Sequence, residues 1–499
     1  MSRLKRLVSI FPLHHLLIIV FFVLEGNNEF FPDVPPADSI RLFFLFLLIS
    51  LVCFFACKAV FREKLRSGVI SLLLVYIILF ARTLYNNYSL LWGKDHRVSN
   101  THYFLLLCLI TGILILLTRR RSILGLKKFS QYLSFIFLAL IIYEAGSLLY
   151  KSLTAQKQLS LQLEGVPEFS SWNGGPKPDI YFLLFDEYQG DKGLQDLFGF
   201  RDQGPGTMLR KKGFRVLNDP RSNYNYTFYS VPSMLNMAYL NYSDQKIDYD
   251  LRRVIKSVDY LGEKSPFLDQ LNRQGYTIVN HSFFRLYNKP SPHPNLVVPK
   301  DGYSAIYSRS LPGWAQEDLL HFIPFNAVQR VFHTYFYQVF LYNQDVLRGM
   351  ETTIDAPPSS PKFVYCHLLL PHPPILTDSI GNLKNIRAAM YEINRRQSTL
   401  PSSYAGYIRY SNLVLEQLVT RIQLKDSNAV IIFASDHGFR SYPDRQSDVF
   451  NNQCAVYIPG NKYDGFRDDL SLVNLLRLVL NNACGLKIPL TVDTLHLTK

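Results

Sequence analysis

Hydrophobic residues crowd the first 150 positions into long runs, and beyond position 178 they recur in short blocks. Five runs approach the roughly 20 apolar residues that a helix needs to cross a bilayer: Leu7–Leu24, Ile40–Phe61, Val69–Leu84, Tyr103–Thr118 and Phe129–Tyr150. The stretch 151–178 begins polar and weakly amphipathic and ends Trp-Asn-Gly-Gly-Pro-Lys-Pro, which reads as an interfacial segment running into a linker. After it, apolar blocks of strand length fall at 179–185, 214–217, 277–280, 363–369, 429–434 and 454–458. Helical stretches fall between them, near 194–212, 266–273, 327–345, 388–396, 403–423 and 470–481. Strand and helix signals in alternation predict an α/β domain with a central mixed sheet and helices on both faces. Three parts follow: a transmembrane domain of five helices over 1–150, the segment 151–178, and one large domain over 179–499.

Charge orients the membrane part. Lys and Arg accumulate on the cytoplasmic side of membrane helices. Arg3, Lys5 and Arg6 precede the first run, Lys58, Arg62, Lys64 and Arg66 surround the second turn, and Arg119, Arg120, Arg121, Lys127 and Lys128 surround the fourth. The opposite loops are poor in both residues. The N-terminus is therefore expected inside, and five crossings place everything after Tyr150 outside. This bias also accounts for most of the net charge of +14, which is then no sign of nucleic-acid binding. The sequence after Leu24, Glu-Gly-Asn-Asn-Glu, offers no small-residue cleavage site, so the first run reads as a helix and not as a cleaved leader.

Aromatic residues make up 14% of the chain and charged residues 18%, which excludes a disordered protein. Six Cys in 499 residues exclude a disulfide scaffold. Pro12 reads as a kink in the first helix, and His14 and His15 as a lumenal or interfacial polar pair. Glu144 lies near the outer end of the fifth run, where an acid is either functional or snorkels to the interface.

In α/β folds ligands sit beyond the carboxyl ends of the strands. Asp186 and Glu187 follow the first strand, Pro371-His372-Pro373-Pro374 follows the block at 363–369, and Ser435-Asp436-His437-Gly438 follows the block at 429–434. Carboxylates and imidazoles at strand ends are what a Zn²⁺ or Mn²⁺ site requires. Gly438 lets the backbone turn directly after such ligands. Residues 222–237 read SNYNYTFYSVPSMLNM, a hydroxyl-rich loop running into a short apolar helix.

The order of these features resembles the alkaline phosphatase/sulfatase superfamily. The membrane-anchored branch, the phosphoethanolamine transferases and lipoteichoic acid synthases, is similar in having five membrane helices followed by an outer catalytic domain. Ser435-Asp436-His437-Gly438 is the most specific match. Thr227-Phe-Tyr-Ser230-Val-Pro232-Ser-Met234 resembles the segment around the nucleophilic threonine of those transferases. The resemblance implies that Thr227 is nucleophile and metal ligand, that Asp186, Asp436 and His437 complete one divalent metal site for Zn or Mn, and that His372 contacts the phosphoryl group or a second metal. Arg440 is placed to clamp a phosphate as a bidentate donor. Ser230 is the alternative nucleophile, because Ser230-Val-Pro-Ser-Met also resembles the sulfatase nucleophile motif. Met234 stands where sulfatases carry an Arg, which argues against a sulfatase. Between Gly438 and Pro459 the chain has no His, where the transferases have one; Asn451 and Asn452 fall in that region. One metal is therefore expected.

The chemistry is coherent by itself. A dication lowers the pKa of a Thr hydroxyl and neutralises phosphoryl oxygens. A helix N-terminus beneath the hydroxyl would add its dipole, and Pro232 would suit the first turn of that helix. The expected activity is transfer of a phospho-head-group, phosphoethanolamine or phosphoglycerol, from a membrane phospholipid to an envelope glycan or lipid. Two alternatives stand beside it: a phosphodiesterase or phosphatase using water, and a non-catalytic binding module with a degenerate metal site. The resemblance also implies a bacterial inner membrane with the catalytic domain in the periplasm.

Overall fold

The computed structural model describes residues 12–31, 34–90, 100–154, 162–168, 172, 175–201, 204–241, 251–292, 302–319, 327–328, 335–357, 361–385, 401–440 and 448–497. The chain forms two compact units. One comprises Met1–Gln158 with Lys300–Leu320, the other Leu159–Pro299 with His321–Lys499.

The first unit is built on α1 (Leu13–Glu29), α2 (Pro36–Phe61), α3 (Lys64–Leu90), α4 (Asn100–Arg120) and α5 (Ile123–Thr154). Among the described residues α2 to α5 are long and apolar enough to cross a membrane. Helix α1 has 17 residues, and positions 7–11 of the first predicted run lie outside the described residues. Ile18, Ile19, Phe22, Leu42, Phe46, Leu72 and Val75 form the buried seam between the helices. The Arg66 Nη2 donates to Arg121 O at 3.3 Å, so the basic turns joining α2 to α3 and α4 to α5 lie at one end of the bundle.

Several polar residues here differ from expectation. Pro12 precedes α1 and ends no turn of it; the break in regular helix lies at Phe80 in α3. His14 and His15 are buried within the bundle. His15 sits 2.7 Å from Ser50 Oγ and 3.0 Å from Gly68 O, and His14 sits 2.8 Å from Ser130 Oγ. Buried ring nitrogens with such partners satisfy their hydrogen bonding locally. Glu144 is likewise engaged, because Asn28 Nδ2 donates to its carboxylate at 2.6 Å.

The segment 300–320 departs from the expectation that everything beyond 178 belongs to one outer domain. Its short helices, Gly302–Tyr307 and Leu311–Trp314, fold with the first unit. Ile306 enters the helical seam. Trp314, 2% exposed, packs among Tyr85, Tyr103 and Phe104. Arg309 pairs with Glu25 at 2.6 Å and Glu29 at 2.7 Å, and Arg82 pairs with Glu317 at 2.7 Å. Nothing periodic marks the segment in the sequence; its apolar and charged groups find their partners only through long-range packing.

Among its described residues the second unit has eight strands: β1 (Gln162–Glu164), β2 (Ile180–Phe185), β3 (Arg215–Val216), β4 (Tyr239–Asn241), β5 (Thr277–His281), β6 (Lys362–Leu368), β7 (Val430–Ala434) and β8 (Cys454–Tyr457). Six form one sheet in the order β3-β8-β7-β2-β6-β5. Strands β5, β6, β2 and β7 run parallel, whereas β8 and β3 reverse, so the sheet is mixed as expected. Each of these six strands overlaps a predicted apolar block. Strands β2 and β7 are buried at every position, which is why their sequences are continuous apolar runs.

The remaining elements show where local signals fall short. The expected helix 194–212 is two helices, Asp191–Phe198 and Gly206–Lys211. Gly199, at φ +68°, ends the first. Helix α6 (Thr227–Asn236) carries the hydroxyl-rich motif, α7 (Pro266–Arg273) and α9 (Pro401–Lys425) match their predicted stretches, and α8 (Tyr335–Asp355) runs ten residues beyond its own. The last predicted stretch becomes α10 (Leu475–Cys484). The stretch 388–396 lies outside the described residues. The expected linker is partly structural: β1 pairs antiparallel with β4, and Trp172, 5% exposed, packs on Tyr276. All six Cys are free.

Candidate metal and phosphoryl-transfer site

Three parallel strands set the site. β2 lies between β6 and β7, with Leu184 opposite both His367 and Ala434. Their carboxyl ends share one edge, and the residues that follow them, Asp186–Glu187, the loop to His372, and Ser435–Gly438, converge there.

Asp186 is 2% exposed and Asp436 fully buried. Asp436 Oδ1 accepts from Glu187 N at 3.1 Å and from His437 N at 3.0 Å. Its Oδ2 and Asp186 Oδ1 have no hydrogen-bond partner among the described residues. His437 donates through Nδ1–H to Gly438 O at 2.8 Å. That bond fixes the tautomer and turns the Nε2 lone pair toward Asp436 Oδ2 at 3.3 Å and Asp186 Oδ1 at 3.9 Å. One ligand atom from each of Asp186, Asp436 and His437 lies within 4.8 Å of the others. Thr227 Oγ1 lies 3.2 Å from His437 Nε2. Two buried carboxylate oxygens without donors among the described residues and one aimed imidazole could hold a divalent ion, so these residues fit the metal expected from the sequence.

Thr227 is the first residue of α6, after an extended Tyr226. Its hydroxyl therefore sits at the positive end of a ten-residue helix. Pro232 is not in the first turn, contrary to expectation, because the helix starts at the threonine; the proline lies inside it. Ser230 donates to Asp436 O at 2.6 Å, which commits its hydroxyl proton to the loop that carries the ligands.

A second group adjoins the first. Asp186, Glu187 and His372 also present ligand atoms within 4.8 Å of one another. Glu187, at φ +60°, is held by its backbone: Tyr404 Oη donates to Glu187 O at 3.0 Å. Arg440 N donates to Glu187 Oε1 at 2.8 Å, and the Arg440 guanidinium stacks 4.7 Å above the Tyr226 ring. Burial lowers the Arg440 pKa, and the charges of Glu187 and Asp186 overcome it, so the guanidinium is held above its usual value.

Other contributors were not singled out in the sequence. His367, which the sequence presents as a strand residue, is fully buried with Nε2 3.5 Å from Asp186 Oδ2. Gln189 accepts from Phe439 N at 2.6 Å and donates to Asn451 O at 3.0 Å. Asn452 Nδ2 donates to Ser435 O at 2.6 Å. Asn451 and Asn452, noted above only as filling a region without His, thus brace the Ser-Asp-His-Gly turn. The signal for Gln189 was its place three residues after Asp186.

The sulfatase family model matches residues 208–476. The chain belongs to the sulfatase family. Within this sulfatase fold, Asp186 lies upstream of the matched stretch, and Thr227, His372, Asp436, His437 and Arg440 lie inside it. The structure is similar to that of lipooligosaccharide phosphoethanolamine transferase A from Neisseria meningitidis, an integral membrane protein, at 14% identity over 95% of this chain and 94% of that one, with a TM-score of 0.38. It is also similar to the C-terminal periplasmic domain of EptC from Escherichia coli, at 12% identity over 66% of this chain and 87% of that one, with a TM-score of 0.37. The corresponding domain of phosphoethanolamine transferase EptC from Campylobacter jejuni gives 12% identity, 63% and 92% coverage, and a TM-score of 0.33. Comparison with curated proteins gives no match.

Close packing, and not a positive φ, explains the glycine of this sulfatase turn. Gly438 is absent from the positive-φ residues, but a Cβ there would come closer than 3.0 Å to Asn451 O, Gln189 Oε1 and Asp448 O. Gly438→Ala is expected to cost about 1–3 kcal/mol, as overpacking does, and to lower turnover by displacing His437. Thermal unfolding and an activity assay on the same preparation check both.

Proposed function

We propose that the protein is a metal-dependent, membrane-anchored transferase that moves a phospho-head-group, phosphoethanolamine or phosphoglycerol, from a phospholipid to an envelope glycan or lipid. The observation that carries this reading is Thr227 Oγ1, at a helix N-terminus and 3.2 Å from His437 Nε2, beside the unpartnered oxygens of Asp186 and Asp436. A hydrolase of sulfate esters is less well supported, because Met234 stands where sulfatases place an Arg.

Asp186, Asp436, His437 and Thr227 would hold one Zn²⁺ or Mn²⁺. When bound, the ion supplies a lowered hydroxyl pKa and charge for the phosphoryl oxygens. Thr227 Oγ1 attacks the phosphorus of the phosphodiester. The Oγ1–P bond forms, the bond from phosphorus to the diacylglycerol oxygen breaks, and that oxygen takes up the proton that the hydroxyl gives up. An acceptor hydroxyl then attacks the same phosphorus, displaces Thr227 and returns its proton. Arg440 faces the non-bridging oxygens in this reading, and His372 holds its guanidinium. Ser230 is the weaker nucleophile, since its proton is spent on Asp436 O. The Lys and Arg at the end of the bundle marked by Arg66 and Arg121 support a cytoplasmic N-terminus and an extracytoplasmic, periplasmic catalytic unit.

Mass spectrometry of the Thr227 peptide tests the proposal. Purified protein is incubated with Zn²⁺ or Mn²⁺ and, separately, with phosphatidylethanolamine or phosphatidylglycerol. A phospho-head-group adduct on Thr227 is expected, and its mass names the donor. Release of free head group with no adduct and no modified acceptor would replace the transferase with a hydrolase.

A further inference from the structure

The two ligand groups of the site share Asp186, yet they are not equivalent. In the first, lone pairs of Asp186, Asp436 and His437 face one another. In the second, a guanidinium nitrogen lies against two of the ligand atoms. Arg440 Nη2 lies 3.2 Å from His372 Nε2 and 3.5 Å from Glu187 Oε2, while those two ligand atoms are 3.3 Å apart. His372 Nδ1 bonds to Pro373 O, so the His372 Nε2 carries the lone pair and accepts from Arg440. The guanidinium is fixed from two more directions, by Glu187 Oε1 receiving the Arg440 backbone N–H at 2.8 Å and by the Tyr226 ring beneath it at 4.7 Å.

We infer that the Arg440 guanidinium is a built-in second cation, seated where Glu187 and His372 would otherwise hold a second metal ion, so that the protein binds one divalent ion and not two. This rests on the metal reading given above. Charge supports it. Asp186, Glu187 and Asp436 are three carboxylates, none more than 3% exposed. One dication and one guanidinium balance them, whereas a second dication in the same space would meet the guanidinium at contact distance. Arg440 cannot step aside by losing its proton, because guanidinium does not deprotonate in proteins. A guanidinium also offers a phosphodiester a fixed fork in place of an exchangeable ion.

The consequence is measurable without turnover. Full-length protein in detergent is stripped with a chelator, loaded with Zn²⁺, freed of excess by gel filtration and assayed for zinc per chain. Wild type and Arg440→Lys are expected to hold about one equivalent, and Arg440→Ala about two. The added equivalent should disappear in the double variant Arg440→Ala/Glu187→Gln. Arg440→Met, which keeps most of the side-chain packing, is expected to behave as Arg440→Ala and replaces it if the alanine variant does not fold. Wild type holding two equivalents, or both neutral variants holding one, overturns the inference and leaves the single-metal reading of Thr227 intact. Wild type holding none overturns that reading, and this inference with it.

Discussion

Thr227→Ala is expected to lower head-group transfer by about 10⁴-fold or more, the scale on which removal of an enzyme's nucleophile acts. The fold should survive. Thr227 is not the N-cap of its helix, and its hydroxyl bond to His437 is worth only about 1 kcal/mol. Thr227→Ser keeps the oxygen at the helix N-terminus and should retain part of the activity. Transfer of labelled head group from phospholipid vesicles, read beside thermal unfolding, separates the chemical loss from a structural one. Residual turnover above a tenth of wild type in the alanine variant would move the nucleophile to Ser230. In that event Ser230→Ala, expected to cost mainly the bond to Asp436 O, would abolish activity.

Metal removal has the second large effect. Stripping the protein with a chelator should abolish transfer, and Zn²⁺ or Mn²⁺ should restore it. Stability should follow. A ligand at a hundred times its dissociation constant adds about 2.7 kcal/mol, and in domains of 150–250 residues each kcal/mol moves the midpoint by about 2–4 °C. The second unit, Leu159–Pro299 with His321–Lys499, is larger than that, so its midpoint should rise by roughly 3–5 °C on loading. The physical source is the pair of buried, donor-less oxygens on Asp186 and Asp436. Asp436→Ala should lose both the rescue and the shift. A protein whose midpoint ignores the ion would be the binding module with a degenerate site.

Much of this site lies open in the primary structure because its residues follow strands buried on every side. A run such as Ile180–Phe185 is apolar throughout, so the first polar residue after it stands out. The same holds for Ser435–His437 after Val430–Ala434. Glu187 shows in the sequence only as a second acid beside Asp186. Its partners, His372 and Arg440, are 185 and 253 positions away, and no local pattern reports an approach across strands. His367 looked like one more strand residue, since nothing in an apolar run says which side chain will meet Asp186. Strands β1 and β4 were invisible for another reason: three residues each, partly polar, they carry too little pattern to read.

The segment 300–320 bears on how the protein would respond to proteolytic shedding. A single cut near residue 158 would part the helices from the rest of the chain but leave the segment 300–320 joined to the second unit. The released fragment would still carry Ile306, Arg309 and Trp314, whose partners Phe22, Glu25, Glu29, Tyr85 and Phe104 remain on the helical piece. Withdrawing them would uncover an indole and an aliphatic side chain and leave Glu25 and Glu29 without their counter-ion, a penalty that resists separation. The nicked protein would behave as a two-chain heterodimer, and solubilising the catalytic unit would take the loss of that segment as well.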